Sequence, residues 1–574
     1  MADATRIAAS VTKLRQRRTG PLILELDLTE GIAEGPPQDP VSALLTIRRT
    51  RLPDVLEGLK RASTDDRVRA LVVKVGGSRI GLAEIQELRA AVADFRLSGK
   101  LTVAWAETFG DFVRGNLPYY MATGFDRIYL QPSGTLGLTG VAVEQVFLHG
   151  ALEKVGIDFQ SAKRYEYKSA ADQLTETGFT GPAREAAARL TESVAEQLAA
   201  AIAESRDKTP EQARALLDRG PFLAQQALAE GLVDGLAYRD GVYDQLRKEA
   251  GLDATLLYLQ RYQRSHALAD LPRRLQKNPR ERFVATIYAH GAIRHGRSGR
   301  GGPGGGGMGS DTVAGALRAA AADERARAVV LRVNSPGGSY TASDVIWREV
   351  VRVRAAGKPV VVSMGDVAAS GGYFISAPAD VIVAQPGTIT GSIGVILGKP
   401  VLRDMFGRAG VSTDTVAEGA NATMFSSSRP FSDTEWDRIN VWLDAVYADF
   451  TEKVASGRRM TAERVHELAR GRVWTGADAV ANGLADESGG MSDAIAIARK
   501  RAGLPDDASV RVYPRLGPLD QLRPAESSEA RPAAARFDAA ALFADGWGPA
   551  WQIAAAIGLP PYGPLMLPGI WRIS

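Results

Sequence analysis

Residues 22–28 read LILELDL, in which apolar and polar side chains alternate from Leu24 onward, a pattern that predicts a strand. Residues 41–64 carry apolar positions at helical spacing. Beyond them the pattern settles into a rhythm. Residues 71–75 form a short apolar run, 82–97 a helical stretch, 101–105 a second run and 127–130 a third. An Ala-rich helix is expected from about 182 to 205, with Pro182 where a first helical turn tolerates it. The rhythm returns in the second half as an apolar run at 283–288, another at 329–333, a helix at 343–354 and a run at 360–363. Strands alternating with helices at this spacing predict βαβ units around a largely parallel sheet. Residues 250–280 are polar and are read as the connection between the halves.

The two halves repeat one another. RVRALVVKV at 67–75 matches RARAVVLRV at 325–333, an offset of 258 that Gly99-Lys100 and Gly357-Lys358 share. The offset falls to 254 at Gln131-Pro132 against Gln385-Pro386 and at Gly156-Ile157 against Gly410-Val411. It reaches 252 where GLVD, ending at Asp234, meets GLAD, ending at Asp486. A slowly drifting offset over so long a stretch implies two copies of one αβ unit. The copies diverge in reactive residues. Ser370 of the second corresponds to Asn116 of the first, and Lys168 of the first corresponds to Ala422 of the second. A hydroxyl in one half and an amine in the other predict one site assembled from both.

Composition narrows the chemistry. The 574 residues, 45% of them hydrophobic, are enough for two cores. Seventy basic against 66 acidic residues leave a net charge of +4, and no basic run is interleaved with aromatics, so no nucleic-acid partner is expected. There are no cysteines, which removes disulfides and thiol nucleophiles. The five histidines, at 149, 266, 290, 295 and 466, are scattered. The one Glu-x-x-His, Glu463 to His466, has no second pair, so no metal site is expected. A helix-competent apolar run of spanning length is not visible. The basic KLRQRR at 13–18 has no apolar core behind it. Residues 553–571 lack charge, but Pro560, Pro561, Pro564 and Pro568 interrupt them. The wider segment 539–574 is apolar, holds Trp547, Trp551 and Trp571, and follows a polar Pro/Ala-rich stretch at 523–536. It is expected either to lie on a membrane or to cap the protein's own surface.

Four motifs are candidates for chemistry. Asn334-Ser335-Pro336-Gly337-Gly338-Ser339 follows a strand and precedes a helix, so its glycines either make an ordinary turn or bring backbone N–H groups to a ligand. Residues 364–373, MGDVAASGGY, place Ser370 among small neighbours at a strand end, where the next N–H can face a developing oxyanion. Thr390-Gly391-Ser392-Ile393-Gly394 reads as a turn. Tyr165-Glu166-Tyr167-Lys168-Ser169-Ala170 carries a lysine that is a base only if burial removes its proton. The glycine-rich loop at 297–310 has no Gly-Lys-Ser/Thr after it and reads as an insertion rather than a phosphate loop.

Together VNSPGGS, GDVAASGGY, TGSIGV and YKSA resemble the signal peptide peptidase A (protease IV) family in its long, duplicated bacterial form, over roughly residues 20–500. The resemblance implies a tandem pair of Clp/crotonase-like α/β domains, repeated ββα units forming a spiral core. It places a polar leader at 1–20, a lysine-bearing domain at 21–249, a linker at 250–281, a serine-bearing domain at 282–505 and a linker with an apolar tail at 506–574. It implies a serine peptidase without cofactors. Ser370 is then the nucleophile, Lys168 the general base, Ser392 the residue that orients the amine, and Gly338 and Gly371 the oxyanion donors. It also implies peptide substrates, signal-peptide remnants among them, a homotetrameric bowl, and association with the bacterial membrane, with a cytoplasmic location as the alternative. The chain departs from the family by showing no N-terminal span and by following YKSA with Ala171-Asp172-Gln173-Leu174 instead of the family's Glu-Pro-Phe. Two other readings compete: a crotonase-type acyl-CoA hydratase or isomerase, for which Asp366 lacks a partner carboxylate in its motif, and a membrane-associated scaffold without turnover.

Overall fold

The computed structural model describes residues 19–29, 31–35, 50–76, 80–110, 114–269, 281–298, 307–419 and 421–513, and the backbone of 565–566. Each half is built on a sheet of the same topology. In the first the order is Gly235–Leu236, Arg127–Leu130, Leu101–Ala106, Val68–Lys74, Leu22–Asp27, Thr255–Tyr258, all parallel. In the second, Phe283–His290 lies between Ser509–Tyr513 and Ala326–Ser335, and Val360–Ala369 follows. Val360–Ala369 runs on in two directions. It pairs with Val381–Ala384, which meets Glu487–Ser488, and with Ile389–Gly391, which takes the one antiparallel strand of this sheet, Val473–Thr475. The central strands are buried on both faces and therefore read as continuous apolar runs. The fold is thus the expected duplicated α/β domain.

The repeat extends to individual hydrogen bonds. Lys100 Nζ caps the end of the helix Leu52–Ser63 by donating to the carbonyls of Ala62, Ser63 and Asp65 at 2.6–2.9 Å. Lys358 does the same for Ala320, Ala321 and Asp323 at 2.6–2.9 Å. Tyr119 donates to the Leu232 carbonyl at 2.7 Å and Tyr373 to that of Leu484 at 2.9 Å. A buried tyrosine needs a partner for its hydroxyl, and both copies supply it from the same loop.

Some expectations shift. The helix expected at 41–64 begins at Leu52, and residues 36–49 lie outside the described part. The stretch 250–281, read as a linker, is folded over much of its length. Thr255–Tyr258 extends the first sheet beside Leu22–Asp27, and the helix Leu259–Ala269 buries Leu259 and Tyr262 against Leu52–Ser63. Its apolar positions are too few to stand out from polar neighbours. Beyond residue 505, Ser509–Tyr513 forms the matching edge strand of the second sheet. Of the glycine-rich loop, Met308–Gly309 is a short strand and 299–306 lie outside the described residues, as do the leader at 1–18 and most of the tail.

The halves are joined by a two-stranded antiparallel ladder, Asp158–Arg164 of the first with Val395–Val401 of the second, and by a buried polar seam. Arg332, on the strand that leads to Gly337-Gly338, is 1% exposed. Its guanidinium meets Glu34 at 2.6 Å and Glu87 at 2.6 Å, both from the first half, and donates to Ser363 Oγ at 2.8 Å. Asn334 donates to Glu34 and accepts the Val367 N–H at 3.2 Å. Asp366 accepts the N–H groups of Ala83 and Glu84, at the start of the helix Leu82–Arg96, at 2.9 and 3.2 Å. Gln86 of the same helix accepts the Gly387 N–H at 2.8 Å. Burial raises the Glu34 carboxyl, but the charges of Arg332 and His290 outweigh it and hold the group below its usual value. For Glu87, burial outweighs Arg332 and the carboxyl is raised. One guanidinium thus does not fully offset two buried carboxylates. Burial and neighbouring carboxylates push Asp366 up to about 6 and Glu84 up to about 9. Removing one partner of a buried ion pair leaves an uncompensated charge, so Arg332→Ala should lower stability by about 3–5 kcal/mol. Urea denaturation followed by tryptophan fluorescence measures this; an unchanged midpoint would show that the seam does not hold the halves.

Candidate active site

Each side of the site is delivered by a strand end. Val360–Ala369 stops at Ser370, which sits at φ 55°, ψ −114° and opens the short helix Gly371–Ser376. A non-glycine residue in that conformation is strained, and such turns hold a side chain clear of its own backbone. The turn is kept by the Ser370 N–H, which donates to the Gly391 carbonyl at 2.8 Å, and by the Ser370 carbonyl, which accepts from Phe374 N–H at 2.8 Å. The strand Asp158–Arg164 of the first half carries the chain to Lys168. Because that strand pairs with Val395–Val401, the lysine from one copy is brought to the serine of the other within a single chain.

Lys168 is fully buried. Its Nζ lies 2.9 Å from Ser370 Oγ, 2.9 Å from the Ser392 carbonyl oxygen and 3.0 Å from Ser392 Oγ. Ser370 and Ser392 are also fully buried. Burial holds the Lys168 amine well below its usual pKa, and no carboxylate contributes in the opposite direction. A neutral amine has two N–H bonds and one lone pair. In that form the three contacts fit two donations to Ser392 and one acceptance from the Ser370 hydroxyl; in the ammonium form all three are donations by Nζ. The lysine backbone is packed as closely as its head group: a Cβ on Gly471, which has φ +86°, would lie 2.4–2.5 Å from Lys168 N, Cα and Cβ. The arginines on either side of that glycine, Arg470 and Arg472, lie over the Tyr167 ring, 5.4 and 5.1 Å from its centroid. Around them Tyr167, Ala186, Leu190, Ala369, Ile389 and Val473 make an apolar cluster.

Gly337 and Gly338 pass beside Ser370. A Cβ on Gly371 would lie 3.1 Å from Gly337 Cα and 3.1 Å from Gly338 N. Gly338, at φ +153°, passes so close to Ile293 that a Cβ would meet its carbonyl oxygen at 2.1 Å. Glycine is required there by space as well as by conformation. All five residues singled out in the sequence, Ser370, Lys168, Ser392, Gly338 and Gly371, therefore converge. Asp366 does not join them. Its carboxylate neighbours, absent from its own motif, are Glu34 and Glu84 of the other half, and it is spent on anchoring a helix start. Sequence reading missed Arg332, Glu34, Glu87 and Gly471; an arginine inside an otherwise apolar strand was the available signal.

In the first copy the equivalent position is closed. Asn116 is buried, donates to the Gly140 carbonyl at 2.7 Å and accepts the Thr139 N–H at 3.1 Å. Its amide thus ties down the loop that matches Ser392-Gly394. Ala422, the counterpart of Lys168, is exposed.

A strained serine facing a dehydrated amine, on a duplicated parallel α/β frame, defines a serine peptidase of the kind that dispenses with histidine. The chain belongs to peptidase family S49, whose domain matches it twice, at residues 96–253 and 352–505. It is similar to Protease 4 of Salmonella typhi, 34% identical over 469 residues, 80% of this chain and 73% of that protein. It is similar also to the chloroplastic serine protease SPPA of Arabidopsis thaliana, 30% identical over 82% of this chain and 68% of that protein. A third relative, the putative signal peptide peptidase SppA of Enterococcus faecium, is 38% identical over 191 residues, 33% of this chain and 55% of that protein. Neither the hydratase nor the scaffold finds support among these relatives.

Because burial lowers the Lys168 pKa in the folded state, the unfolded state binds more protons between the lowered value and the usual one near 10.5. This group therefore costs stability at neutral pH, and the cost fades as pH rises toward 10.5. Lys168→Met should melt higher than the wild type at pH 7, with the gap narrowing at pH 10. Equal melting curves at both pH values would mean that the amine is not dehydrated.

Proposed function

We propose that Ser370 is the nucleophile, Lys168 its general base, Ser392 the group that orients the amine, and the N–H groups of Gly338 and Gly371 the oxyanion donors. The substrates are signal-peptide remnants or other short apolar peptides. The observation that carries this reading is the 2.9 Å approach of a fully buried, carboxylate-free Lys168 Nζ to Ser370 Oγ. In water a lysine amine is protonated at neutral pH and accepts nothing. Here burial frees its lone pair, and Ser392 holds the two N–H bonds so that the lone pair points at the serine.

The Ser370 Oγ–H proton passes to Lys168 Nζ as Oγ bonds to the peptide carbonyl carbon. The carbonyl oxygen takes the electron pair, and backbone N–H groups stabilise it. The tetrahedral centre collapses, the C–N bond breaks and the ammonium returns its proton to the leaving nitrogen. Water repeats the sequence on the acyl-enzyme, with Lys168 taking the water proton, and releases the carboxylic acid and free Ser370. Apolar substrates suit this site because they do not rehydrate the amine. The Enterococcus faecium relative, named a putative signal peptide peptidase, supports signal-peptide remnants among the substrates.

Ser370→Ala and Lys168→Ala should each lower kcat by at least about a thousandfold on a quenched apolar peptide. A fluorophosphonate should label Ser370 in the wild type and not in Lys168→Ala. In the wild type kcat/KM should rise with pH through the lowered Lys168 value, an acid limb well below 10.5. Labelling that persists in Lys168→Ala would remove the lysine from its role.

The assembly we propose is a closed ring of chains, the homotetramer of the resemblance. What supports it is the repeat itself. Residues 141–147 correspond to Val395–Val401 and residues 412–418 to Asp158–Arg164, the two strands that pair inside the chain. Residues 411–418 run exposed and outside any described strand, with Val411 at 50% and Val416 at 101% exposure. Placing 141–147 of one chain against 412–418 of the next repeats the internal ladder and sets Val143 opposite Val416. Such head-to-tail pairing closes a ring when its rotation divides a full turn. Val416→Arg should lower the mass seen by light scattering; an unchanged mass would exclude this edge. Peripheral membrane contact through 539–574 remains part of the proposal, resting on those residues' composition. Among the described residues no helix is long and apolar enough to cross a membrane.

A further inference from the structure

A polar cavity of about 560 Å³ opens where the helix Leu82–Arg96 of the first half meets Gln385-Pro386 of the second. That is the size of a small-ligand site, and none of the five residues assigned to catalysis lines it. Four of its polar side chains are left with bonding capacity by the protein itself. Gln385 is 6% exposed, and its side-chain amide has no hydrogen-bond partner among the described residues. Ser205 Oγ is buried and equally without a partner. Arg89 lies over the Tyr120 ring, 4.4 Å from its centroid, and its Nη1 donates to the Tyr120 carbonyl and to Thr123 Oγ. Its Nε and Nη2 have no partner among the described residues, and no described carboxylate pairs with it. Burial lowers the Arg89 pKa, and Tyr120 and Glu204 act in the opposite direction. Glu204, which also lines the cavity, is therefore near enough to act on the guanidinium and too far to form an ion pair with it.

The repeat shows how the room arises. The ion pairs Arg206–Asp234 and Arg458–Asp486 share the offset of 252 and place Ser205 in correspondence with Gly457. A Cβ on Gly457 would lie 2.3 Å from the Ala377 carbonyl oxygen, so the helix Asp433–Arg458 rests directly on that turn. In the first copy a serine ends the matching helix Gly181–Ser205, and Ser205 and Thr123, the counterpart of Ala377, both line the cavity. Arg89 corresponds to Trp347, over whose ring Lys453 lies 4.5 Å from the centroid, and the counterpart of Lys453 is Ala201. The second copy thus packs an indole under an ammonium where the first presents a guanidinium to open space.

The unused groups define the ligand. A simple anion on Arg89 would meet the Glu204 carboxylate as a like charge, and a simple cation on Glu204 would meet the guanidinium. A molecule carrying both charges answers both. The Gln385 amide offers donors and an acceptor, the complement of a peptide unit. We infer that this cavity is a binding site for a short peptide with free termini, a di- or tripeptide zwitterion, with its carboxylate on Arg89, its ammonium on Glu204 and a peptide unit on Gln385. Peptides of this class are what a peptidase releases, so their supply, though not the site, rests on the function proposed above. Its occupant would touch a segment that the catalytic turn depends on. Gln385-Pro386 runs straight into the strand Ile389–Gly391 and Ser392, and Gln86, which lines the same cavity, accepts the Gly387 N–H at 2.8 Å.

Calorimetry on the full chain carrying Ser370→Ala measures the binding of alanyl-alanine, N-acetyl-alanyl-alanine and alanyl-alanine amide with no turnover to interfere. The expected result is that blocking either terminus weakens binding at least about tenfold, as the loss of a hydrogen bond to a charged group does. Glu204→Gln, at an exposed position, should remove the preference for the free ammonium and keep that for the free carboxylate. Gln385→Leu should weaken all three peptides. No binding of alanyl-alanine, or equal binding of the three peptides, would overturn the inference. So would protection of wild-type Ser370 from a fluorophosphonate by alanyl-alanine together with binding unchanged in Glu204→Gln and Gln385→Leu, a result that seats the peptide at the serine instead. Labelling of wild-type Ser370 in the absence of peptide separates these failures from a failure of the serine assignment.

Discussion

The structure depends on keeping one amine dry. Lys168 is fully buried, no carboxylate among the described residues offsets that burial, and its pKa falls because burial penalises the ammonium. Every other feature of the site serves that condition. Ser392 satisfies the two N–H bonds, Gly471 leaves room for the lysine backbone, and small or apolar neighbours fill the surrounding volume. The lysine does not come from the domain that carries the serine. It is inserted from the other copy along a strand ladder, so dryness and the joining of the halves are one problem with one solution.

The polar seam solves the companion problem of register. Arg332 and Asn334 stand on the strand that becomes Gly337-Gly338, while Ser363 and Asp366 stand on the strand that becomes Ser370. Glu34, Glu84 and Glu87 of the first half bind or flank both strands. Gln86 adds a hold on Gly387, just ahead of the Ser392 turn. Three segments that must agree to within a fraction of an ångström at the site are thus referenced to one helix and one loop of the opposite copy.

Most of this was legible in the chain where one residue type answers to one cause. Drifting self-similarity revealed the duplication, and the mismatch between Ser370 and Asn116 and between Lys168 and Ala422 revealed the shared site. The lost information lies where the cause is nonlocal. Residues 255–269 read as connector because Leu259 and Tyr262 are sparse apolar positions whose burial depends on a distant helix. Ser509–Tyr513 alternates in sequence but is too short to stand out. Arg332 stood out in sequence only as a charge inside an apolar run, because its partners Glu34 and Glu87 lie far along the chain. Nothing near Lys168 in sequence announces Gly471, whose role exists only in the packed structure.

The amide of Asn116 has a consequence for how the chain tolerates change. In most tandem duplications each copy covers for the other, and a damaging substitution in one is masked. Here the first copy has, at the position matching Ser370, an asparagine that holds its own loop, and the second has an exposed alanine at the position matching Lys168. Restoring a serine at 116 alone yields a hydroxyl with no amine to activate it within the chain. Neither half gains a complete serine–amine pair by a single substitution, so the two copies depend on one another rather than duplicating one another.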